Sequence, residues 1–312
     1  MQRSQNRCES DLNRRTFSKT LALTVASGVA GGPTLWGAGE RQLKIGCTGL
    51  IFRATPNAPE NLDDALKHMS ELGYHSFETW GSVLSALEEK GSLAQIIERH
   101  DIPLRSAFMG VNVHDPSMLK ESIARVVQWG KVTRQYGGTF AVVNAGGIKR
   151  DAFNFQQARP HIIAGLNEHG KALNDLGLGV GLHQHTGSAV DLEEEVYAVM
   201  EAVDTRYMKF APDVGQLQKA GGDAAKIVRD FRSIVVHMHL KDYSGGEHFA
   251  GYSPLGQGKV DLPRILDTVE GANPHASVMV ELDGSASQPY TPRETAEISK
   301  EYLQKLGFTF RR

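Results

Sequence analysis

Short apolar runs alternate with amphipathic segments along the chain from about residue 42 onward. Eight of these runs have the length and the β-branched or aromatic content of buried strands. The runs are 43–47, 75–79, 104–109, 139–144, 179–183, 208–213, 234–239 and 277–281. Their alternation with helical segments indicates βαβ units and a parallel sheet, because right-handed crossovers place the helices outside the sheet.

The segments between the runs carry apolar residues at helical spacing. The segment that begins at Asn61 has acidic residues in its first turn and stops at Gly73, a residue type common just after a helix end. Helices are predicted at 61–69, 93–100, 118–136, 159–175, 192–203, 224–231, 262–269 and 291–306. Repeated strand and helix units of this kind predict an α/β fold, a single (β/α)8 TIM barrel over residues 39–312.

An open, doubly wound sheet is the alternative architecture. Such a sheet would place a phosphate-binding turn of the type G-x-G-x-x-G after its first strand. The residues at that point, Gly46-Cys47-Thr48-Gly49-Leu50, do not have this pattern. The sequence therefore favours the closed barrel over the open sheet.

A different pattern precedes residue 39. Arg14 and Arg15 are followed by Phe17 and by a weakly apolar stretch rich in Gly, Ala and Thr. This order is typical of a Tat-type export signal, so residues 1–38 are predicted to be a signal peptide and the protein to be periplasmic or otherwise exported. The alternative is an amphipathic first helix that follows a chance arginine pair. After residue 38 the sequence contains one cysteine, Cys47, which excludes an intramolecular disulfide in the exported chain.

The net charge of the chain indicates which class of molecule it binds. The chain has 34 Lys and Arg against 36 Asp and Glu, a net charge of −2, and removal of residues 1–38 would make it more acidic. Such a chain is not expected to bind nucleic acid. After the N-terminal segment no apolar run reaches the ~18 residues of a membrane span, so stable membrane insertion is not expected. The predicted partner is a small molecule, and a homo-oligomer is left open.

Imidazole and carboxylate groups end four consecutive strands of the predicted barrel. They belong to His183, Asp213, His239 and Glu281, and both histidines form part of an H-x-H pair. Chemistry in a barrel of this type lies at the carboxyl ends of the strands. Mixed nitrogen and oxygen ligands suit Mn²⁺, Co²⁺, Fe²⁺ or Zn²⁺, and the absence of thiolates argues against a structural zinc site. The sequence therefore predicts a divalent metal ion at this mouth.

Four motifs in the second half of the chain carry a family resemblance. They are Asp213-Val214-Gly215-Gln216-Leu217, His237-Met238-His239-Leu240-Lys241-Asp242, Leu255-Gly256-Gln257-Gly258-Lys259-Val260-Asp261 and Val280-Glu281. In this order they resemble the xylose-isomerase-like TIM barrel superfamily, the sugar phosphate isomerase/epimerase group that includes ketose 3-epimerases and inosose dehydratase. The resemblance covers residues 42–308 and is specific for the superfamily rather than for one of its reactions.

The resemblance implies a metal ion held at four strand ends. In this sequence those positions are His183, Asp213, His239 and Glu281. Many members have glutamate at the first position, and the histidine pair here is more similar to the inosose dehydratase branch. His185 would then face the substrate, which leaves open which histidine of the pair is the ligand.

The resemblance also implies roles for residues that act on substrate. The predicted catalytic residues are Glu281, His183, His185 and Lys241. The predicted substrate-binding residues are Glu78, Asn144, His185 and Gln216. Lys241 either contacts the substrate or forms a plain ion pair with Asp242.

Aromatic residues at the predicted barrel mouth have two interpretations. Trp80, Phe52 and Phe108 either offer an apolar face to a sugar ring or pack within the protein. His237 is expected to pack beneath the site rather than to bind metal.

The implied activity is that of a metal-dependent sugar isomerase or epimerase. It would remove a proton next to a carbonyl of an unphosphorylated keto sugar or polyol. Because Glu281 alone remains of the two glutamates that flank the sugar in the epimerases, a metal-dependent dehydratase or lyase of a keto-inositol or 3-keto-sugar is the first alternative. A non-catalytic periplasmic carbohydrate binder is the second. An endonuclease of the related barrel family is disfavoured by the acidic charge.

Overall fold

The structure, a computed structural model, describes residues 41–284 and 289–312, and the predicted export signal lies outside the described residues. Its strands, in chain order, are β1 (Lys44–Thr48), β2 (Phe77–Trp80), β3 (Leu104–Val111), β4 (Phe140–Ala145), β5 (Gly179–Leu182), β6 (Lys209–Phe210), β7 (His237–Leu240), β8 (Asp242–Tyr243), β9 (Tyr252–Ser253) and β10 (Ser277–Val280). Its helices are α1 (Asn61–Glu71), α2 (Gly81–Glu89), α3 (Leu93–His100), α4 (Leu119–Gln135), α5 (Phe155–Asn174), α6 (Glu193–Met200), α7 (Val214–Lys219), α8 (Ala224–Phe231), α9 (Leu262–Ala272) and α10 (Pro292–Lys305).

Eight parallel strands form one sheet that closes on itself. Neighbouring strands follow the order β6-β5-β4-β3-β2-β1-β10-β7. Two single-residue bridges, Phe210 with Val235 and Asp213 with His239, join the two ends of this row. The (β/α)8 barrel predicted from the alternation is thereby confirmed. Strands β8 and β9 form a separate antiparallel hairpin, and within the described ranges no helix is both long and apolar enough to cross a bilayer.

The sixth barrel strand is shorter than the predicted run 208–213. It ends at Phe210 because Asp213 caps helix α7. The Asp213 carboxylate accepts a hydrogen bond of 3.0 Å from the backbone N–H of Gln216, which satisfies one of the unpaired donors at the helix start. Asp213, the last residue of the predicted strand, is therefore the N-cap of helix α7. The change from strand to helix at this residue points its carboxylate at the barrel mouth.

Helix α2 is absent from the predicted set. It follows β2 directly, and it buries Val83, Leu84 and Leu87, which recur at helical spacing. It is separated from α3 by Gly91, whose φ of +69° lies in the left-handed region that favours glycine. The strand–helix alternation calls for one helix between β2 and β3, and the predicted helix 93–100 already fills that position.

Alternate strand residues fill the barrel interior below the mouth. The Phe140 ring stacks on His237, with ring centres 4.9 Å apart. Gly181 makes room for that ring, since a Cβ there would lie 2.9 Å from it. A Cβ at Gly46 would likewise lie 2.3 Å from the Met279 sulfur. These residues form a packed floor, so any ligand must bind above them.

The loop before α9 is organised around the buried side chain of Asp242. Its carboxylate accepts hydrogen bonds of 2.8–3.1 Å from the backbone N–H groups of Tyr243, Gly256, Gly258 and Val260. A Cβ at Gly258 would lie 2.1 Å from Asp242 Oδ1, so the backbone approaches as closely as it does because that residue is glycine. The aspartate that ends the H-x-H-x-K-D motif is therefore a structural residue.

Asp242→Asn is expected to destabilise the protein. An asparagine side chain has one acceptor oxygen, so its NH₂ group would face two of the four backbone donors. The expected loss is about 2–3 kcal/mol in the free energy of unfolding, measured by urea denaturation. Asp101→Asn, in a side chain that is 95% exposed, is the control and should change it by less than about 0.5 kcal/mol. Equal stability of both variants would contradict the role given to Asp242.

Candidate active site

A cavity of about 160 Å³ opens at the carboxyl ends of the strands. A cavity of ~150 Å³ engineered into another protein holds benzene, so this one has room for a single six-membered ring. Its lining residues come from the ends of strands β1, β2, β3, β5 and β10. They are Thr48, Leu50, Glu78, Thr79, Trp80, Phe108, His183, His185, Glu281 and Asp283.

One wall of the cavity is apolar. It consists of Leu50, Trp80 and Phe108, and the two aromatic rings meet edge to face with their centres 4.5 Å apart. Such a wall can cover the carbon face of a polyhydroxylated ring. Phe52, the third aromatic residue considered from the sequence, is buried elsewhere and stacks on His68 at 5.7 Å.

Three buried side chains beside the cavity present metal-ligating atoms to one another. The ligand atoms of His183, Asp213 and His239 lie within 4.8 Å of each other. Burial and the neighbouring His239 lower the pKa of His183 well below its usual value, so its imidazole is neutral, the form that binds metals. His183 Nδ1 is buried without a hydrogen-bond partner among the described residues, a rare condition for a polar atom. These residues fit a divalent metal ion.

His239 lies between two carboxylates. Its Nε2 is 2.7 Å from Glu78 Oε1, and its Nδ1 is 2.5 Å from Glu281 Oε2. Burial lowers the pKa of His239, but Glu281 and Glu78 more than offset this effect and raise it well above its usual value. A carboxylate bound to one ring nitrogen fixes the orientation of the other. Glu78 therefore turns His239 Nδ1 toward Glu281.

Glu78, which was predicted to bind substrate, is bonded chiefly to other protein groups. Its Oε2 accepts a hydrogen bond of 2.6 Å from the Ser106 hydroxyl and lies 2.9 Å from His237 Nε2. Burial raises the pKa of Glu78, but His239 and His237 outweigh burial and lower it, so the carboxylate is ionised. His237 is itself fully buried and stacks on Phe140. In this arrangement Glu78 orients two imidazoles.

The Lys241 ammonium joins three carboxylates. Its Nζ lies 2.7 Å from Asp283 Oδ2, 2.8 Å from Asp213 Oδ2 and 3.3 Å from Glu281 Oε2. Burial lowers the pKa of Lys241, but these three carboxylates overcome it and raise the pKa well above its usual value. The lysine is therefore charged. The alternative of a plain ion pair with Asp242 is wrong, because that carboxylate binds backbone N–H groups.

Asp213 and Glu281 interact through this ammonium. Burial and the Glu281 charge keep the pKa of Asp213 above its usual value in spite of Lys241. Burial alone would raise the pKa of Glu281 too, but His239 and Lys241 hold it well below its usual value. Carboxylates outnumber cationic side chains in this cluster, and a divalent cation would neutralise the excess.

The Gln216 amide uses all of its hydrogen-bonding groups within the protein. Its Nε2 donates to His185 Nε2 at 2.8 Å and to Asp283 Oδ2 at 3.1 Å. Its Oε1 accepts from the backbone N–H and the hydroxyl of Thr186. His185 Nδ1 in turn donates to the Thr186 carbonyl at 2.9 Å, which makes Nε2 the acceptor. Gln216, predicted to bind substrate, holds His185 and Asp283 in this structure.

The predicted site residues all lie at this end of the barrel, but only some of them line the cavity. Those that line it are Glu78, His183, His185 and Glu281. Those that lie behind its wall are Asn144, Asp213, Gln216, His239 and Lys241. Asn144 supports the end of β5, since its Nδ2 donates to the His183 carbonyl at 3.0 Å.

Four lining residues are absent from the set predicted from the sequence: Thr48, Leu50, Thr79 and Asp283. Asp283 follows Glu281 by two positions, and the period-two alternation of an extended chain is the signal that predicts the same orientation for both. Thr48 ends β1, and its buried hydroxyl has no hydrogen-bond partner in the part of the chain that the structure describes. That hydroxyl can pair with a hydroxyl of a bound substrate.

A closed parallel barrel with imidazole and carboxylate groups gathered at its carboxyl mouth is the architecture of a barrel enzyme. The model of the xylose isomerase-like TIM barrel family matches residues 66–306. The chain belongs to this family, and inosose dehydratases are among the proteins similar to it in sequence.

Three proteins that are similar to this chain are distant from it in sequence. An inosose dehydratase of Geobacillus kaustophilus is 23% identical over 273 residues, which are 78% of this chain and 87% of that protein. The structure is similar to that of the 3-keto-D-glucoside 4-epimerase YcjR from E. coli, with a TM-score of 0.65, 16% identity, and 85% and 99% of the two chains covered. It is also similar to the IolI protein solved with a zinc atom, with a TM-score of 0.67, 16% identity, and 85% and 98% covered.

Asp213→Ala and His183→Ala are expected to abolish most of the metal content of the purified protein. Each removes one ligand from a cluster of three. The measurement is elemental analysis of protein purified from cells without added metal. Asp283→Asn is the matched control, since it changes a carboxylate at the same mouth outside that cluster, and it should retain the metal. Full metal content in both alanine variants would refute this ligand assignment.

Proposed function

We propose that this protein removes a proton from the carbon next to a carbonyl of a single-ring, unphosphorylated polyhydroxy ketone. The proposal rests on the ring-sized cavity. One wall of this cavity is apolar, and its polar lining includes Glu281, His183 and His185. The keto-cyclitol inosose is the substrate we favour, because an inosose dehydratase aligns with most of this chain.

The charge of the cavity supports an unphosphorylated substrate. Glu78, Glu281 and Asp283 all line it, whereas no arginine or lysine is among the described lining residues. The nearby Lys241 is already bound to three carboxylates. A phosphate group would therefore meet negative charge without a cation to receive it.

We propose that His183, Asp213, His239 and Glu281 hold a divalent metal ion. When bound, the ion would act as a Lewis acid on a substrate carbonyl oxygen and stabilise the negative charge that follows loss of the proton. Mn²⁺, Co²⁺, Fe²⁺ and Zn²⁺ all suit this donor set. The zinc atom named for the IolI protein supports a site of this type in the family.

The chain's own residues supply positioning and proton transfer. Trp80 and Phe108 cover one face of the ring, and the Thr48 hydroxyl is available to a substrate hydroxyl. Glu78 fixes the orientation of His239, and His239 and Lys241 keep Glu281 ionised. His185 Nε2, held as an acceptor by Gln216, lies on the cavity wall.

Two outcomes follow from the same first step. In a dehydration, the electron pair left on carbon forms a carbon–carbon double bond as the β-hydroxyl leaves with a proton as water. In an isomerisation or epimerisation, the proton returns to carbon and nothing leaves. The histidine at position 183 and the relative that spans most of the chain favour dehydration. The structural likeness to YcjR keeps epimerisation as the second candidate.

Metal-loaded protein is expected to convert inosose to a product that absorbs in the ultraviolet, as an α,β-unsaturated ketone does. Glu281→Gln should lower the rate by at least about 100-fold, because it removes a charged group from the reacting centre. The rate is followed by absorbance, and the product is identified by mass as substrate minus water. Substrate that returns with unchanged mass but altered configuration would indicate epimerisation. Tight binding of inosose without conversion would indicate a non-catalytic binder.

We also propose that the protein is exported by the Tat pathway, on the motif that contains Arg14 and Arg15. Replacement of both arginines by lysine should leave the full-length chain in the cytoplasm, as measured by cell fractionation and immunoblotting. Replacement of Arg3 and Arg7 by lysine is the control and should leave export intact. An unchanged distribution in the first variant would contradict the proposal.

A further inference from the structure

Asp283 differs from the other carboxylates of the site in its exposure. The side chains of Asp213, Glu78 and Glu281 are 0%, 2% and 8% exposed, whereas that of Asp283 is 24% exposed. Asp283 also lines the cavity. Of these four carboxylates it is therefore the most accessible to a molecule that enters from solvent.

The position of the Asp283 carboxylate is defined by two donors. Lys241 Nζ and Gln216 Nε2 both donate to its Oδ2, at 2.7 Å and 3.1 Å. Lys241 is fully buried, and Gln216 has no hydrogen-bonding group left for substrate. A carboxylate fixed by two buried side chains at a cavity wall has the preorganisation that proton transfer requires.

The other carboxylates are already engaged with protein groups. Glu281 Oε2 lies 2.5 Å from His239 Nδ1, and Asp213 caps helix α7 while it contacts Lys241. Glu78 is bonded to two imidazoles and to Ser106. These contacts suit ligands and orienting groups rather than a base that must approach a substrate carbon.

We propose that Asp283 is the acid–base residue of this site, an inference that rests on the function proposed above. Asp283 takes the proton from the carbon next to the carbonyl and becomes a carboxylic acid, while the C–H electron pair moves into the enolate. As the enolate collapses, the bond from carbon to the β-hydroxyl breaks. Asp283 gives its proton to that oxygen, water leaves, and the carboxylate is regenerated without any co-reactant.

The geometry favours Asp283 over His185 as the residue that takes the proton from carbon and gives it to the leaving oxygen. His185, in the loop after β5, also contacts Gln216 Nε2, and it is the other candidate base at the mouth. Its Nε2 lone pair accepts the Gln216 hydrogen bond and its Nδ1 proton is donated to Thr186, so both ring nitrogens are in use. The Asp283 carboxylate can act without breaking such a pair of bonds, because its second oxygen is also basic.

The test compares Asp283→Asn and Asp283→Glu with the unsubstituted enzyme, all metal-loaded. Asp283→Asn should lower kcat for inosose by at least about 100-fold and leave KM within about threefold. Asp283→Glu, which keeps an acid–base group, should recover at least about a tenth of the lost rate. Thermal unfolding and metal content of both variants should match those of the unsubstituted enzyme.

A second readout separates proton transfer from a merely structural role. In D₂O the unsubstituted enzyme should place deuterium at the carbon next to the carbonyl of recovered substrate, and Asp283→Asn should not, as measured by NMR. Asp101→Asn, at an exposed side chain outside the cavity lining, is the control and should retain this exchange. Exchange that persists in Asp283→Asn would overturn the assignment to Asp283. Absence of exchange and of product in the unsubstituted enzyme would instead refute the proposed function.

Discussion

The arrangement of the site depends on one buried ammonium group. Lys241 Nζ lies within 3.3 Å of oxygen atoms from Asp213, Glu281 and Asp283, which come from two separate parts of the chain. Without this cation the carboxylates would repel one another. They would then either take up protons or move apart. Lys241 therefore brings the end of β10 and the start of α7 together, and the cavity wall between them has a defined shape.

The barrel supplies the register that makes this meeting possible. Residues 237, 239 and 241 alternate along β7 and its end, so His237, His239 and Lys241 rise through the interior in successive layers. The lowest stacks on Phe140, the middle one is held between Glu78 and Glu281, and the highest binds the carboxylates of the mouth. The H-x-H-x-K motif thus extends from the packed floor of the barrel to the carboxylates at its mouth.

Much of the fold could be predicted from the sequence, because periodicity depends on which face of each element is buried. Helix α8 coincides with the predicted 224–231. Helix α2 could not be found in this way, because it begins directly after β2 without an intervening loop. At the site, strand-end position predicted the meeting of His183, Asp213, His239 and Glu281.

The hydrogen-bond partners of individual side chains at the site could not be predicted, because they depend on side-chain rotamers rather than on position in the chain. Gln216 lies behind the cavity wall for this reason, because its amide is bonded to His185, Asp283 and Thr186.

The central claim is that imidazole and carboxylate groups from separate strands converge on one metal ion. An X-ray absorption spectrum at the edge of the metal bound to protein purified from cells tests this most directly. We expect nitrogen and oxygen ligands at ~2.0–2.2 Å from the metal, with scattering from the more distant ring atoms of two imidazoles, those of His183 and His239. A spectrum without imidazole scattering, or with a sulfur ligand, would contradict it.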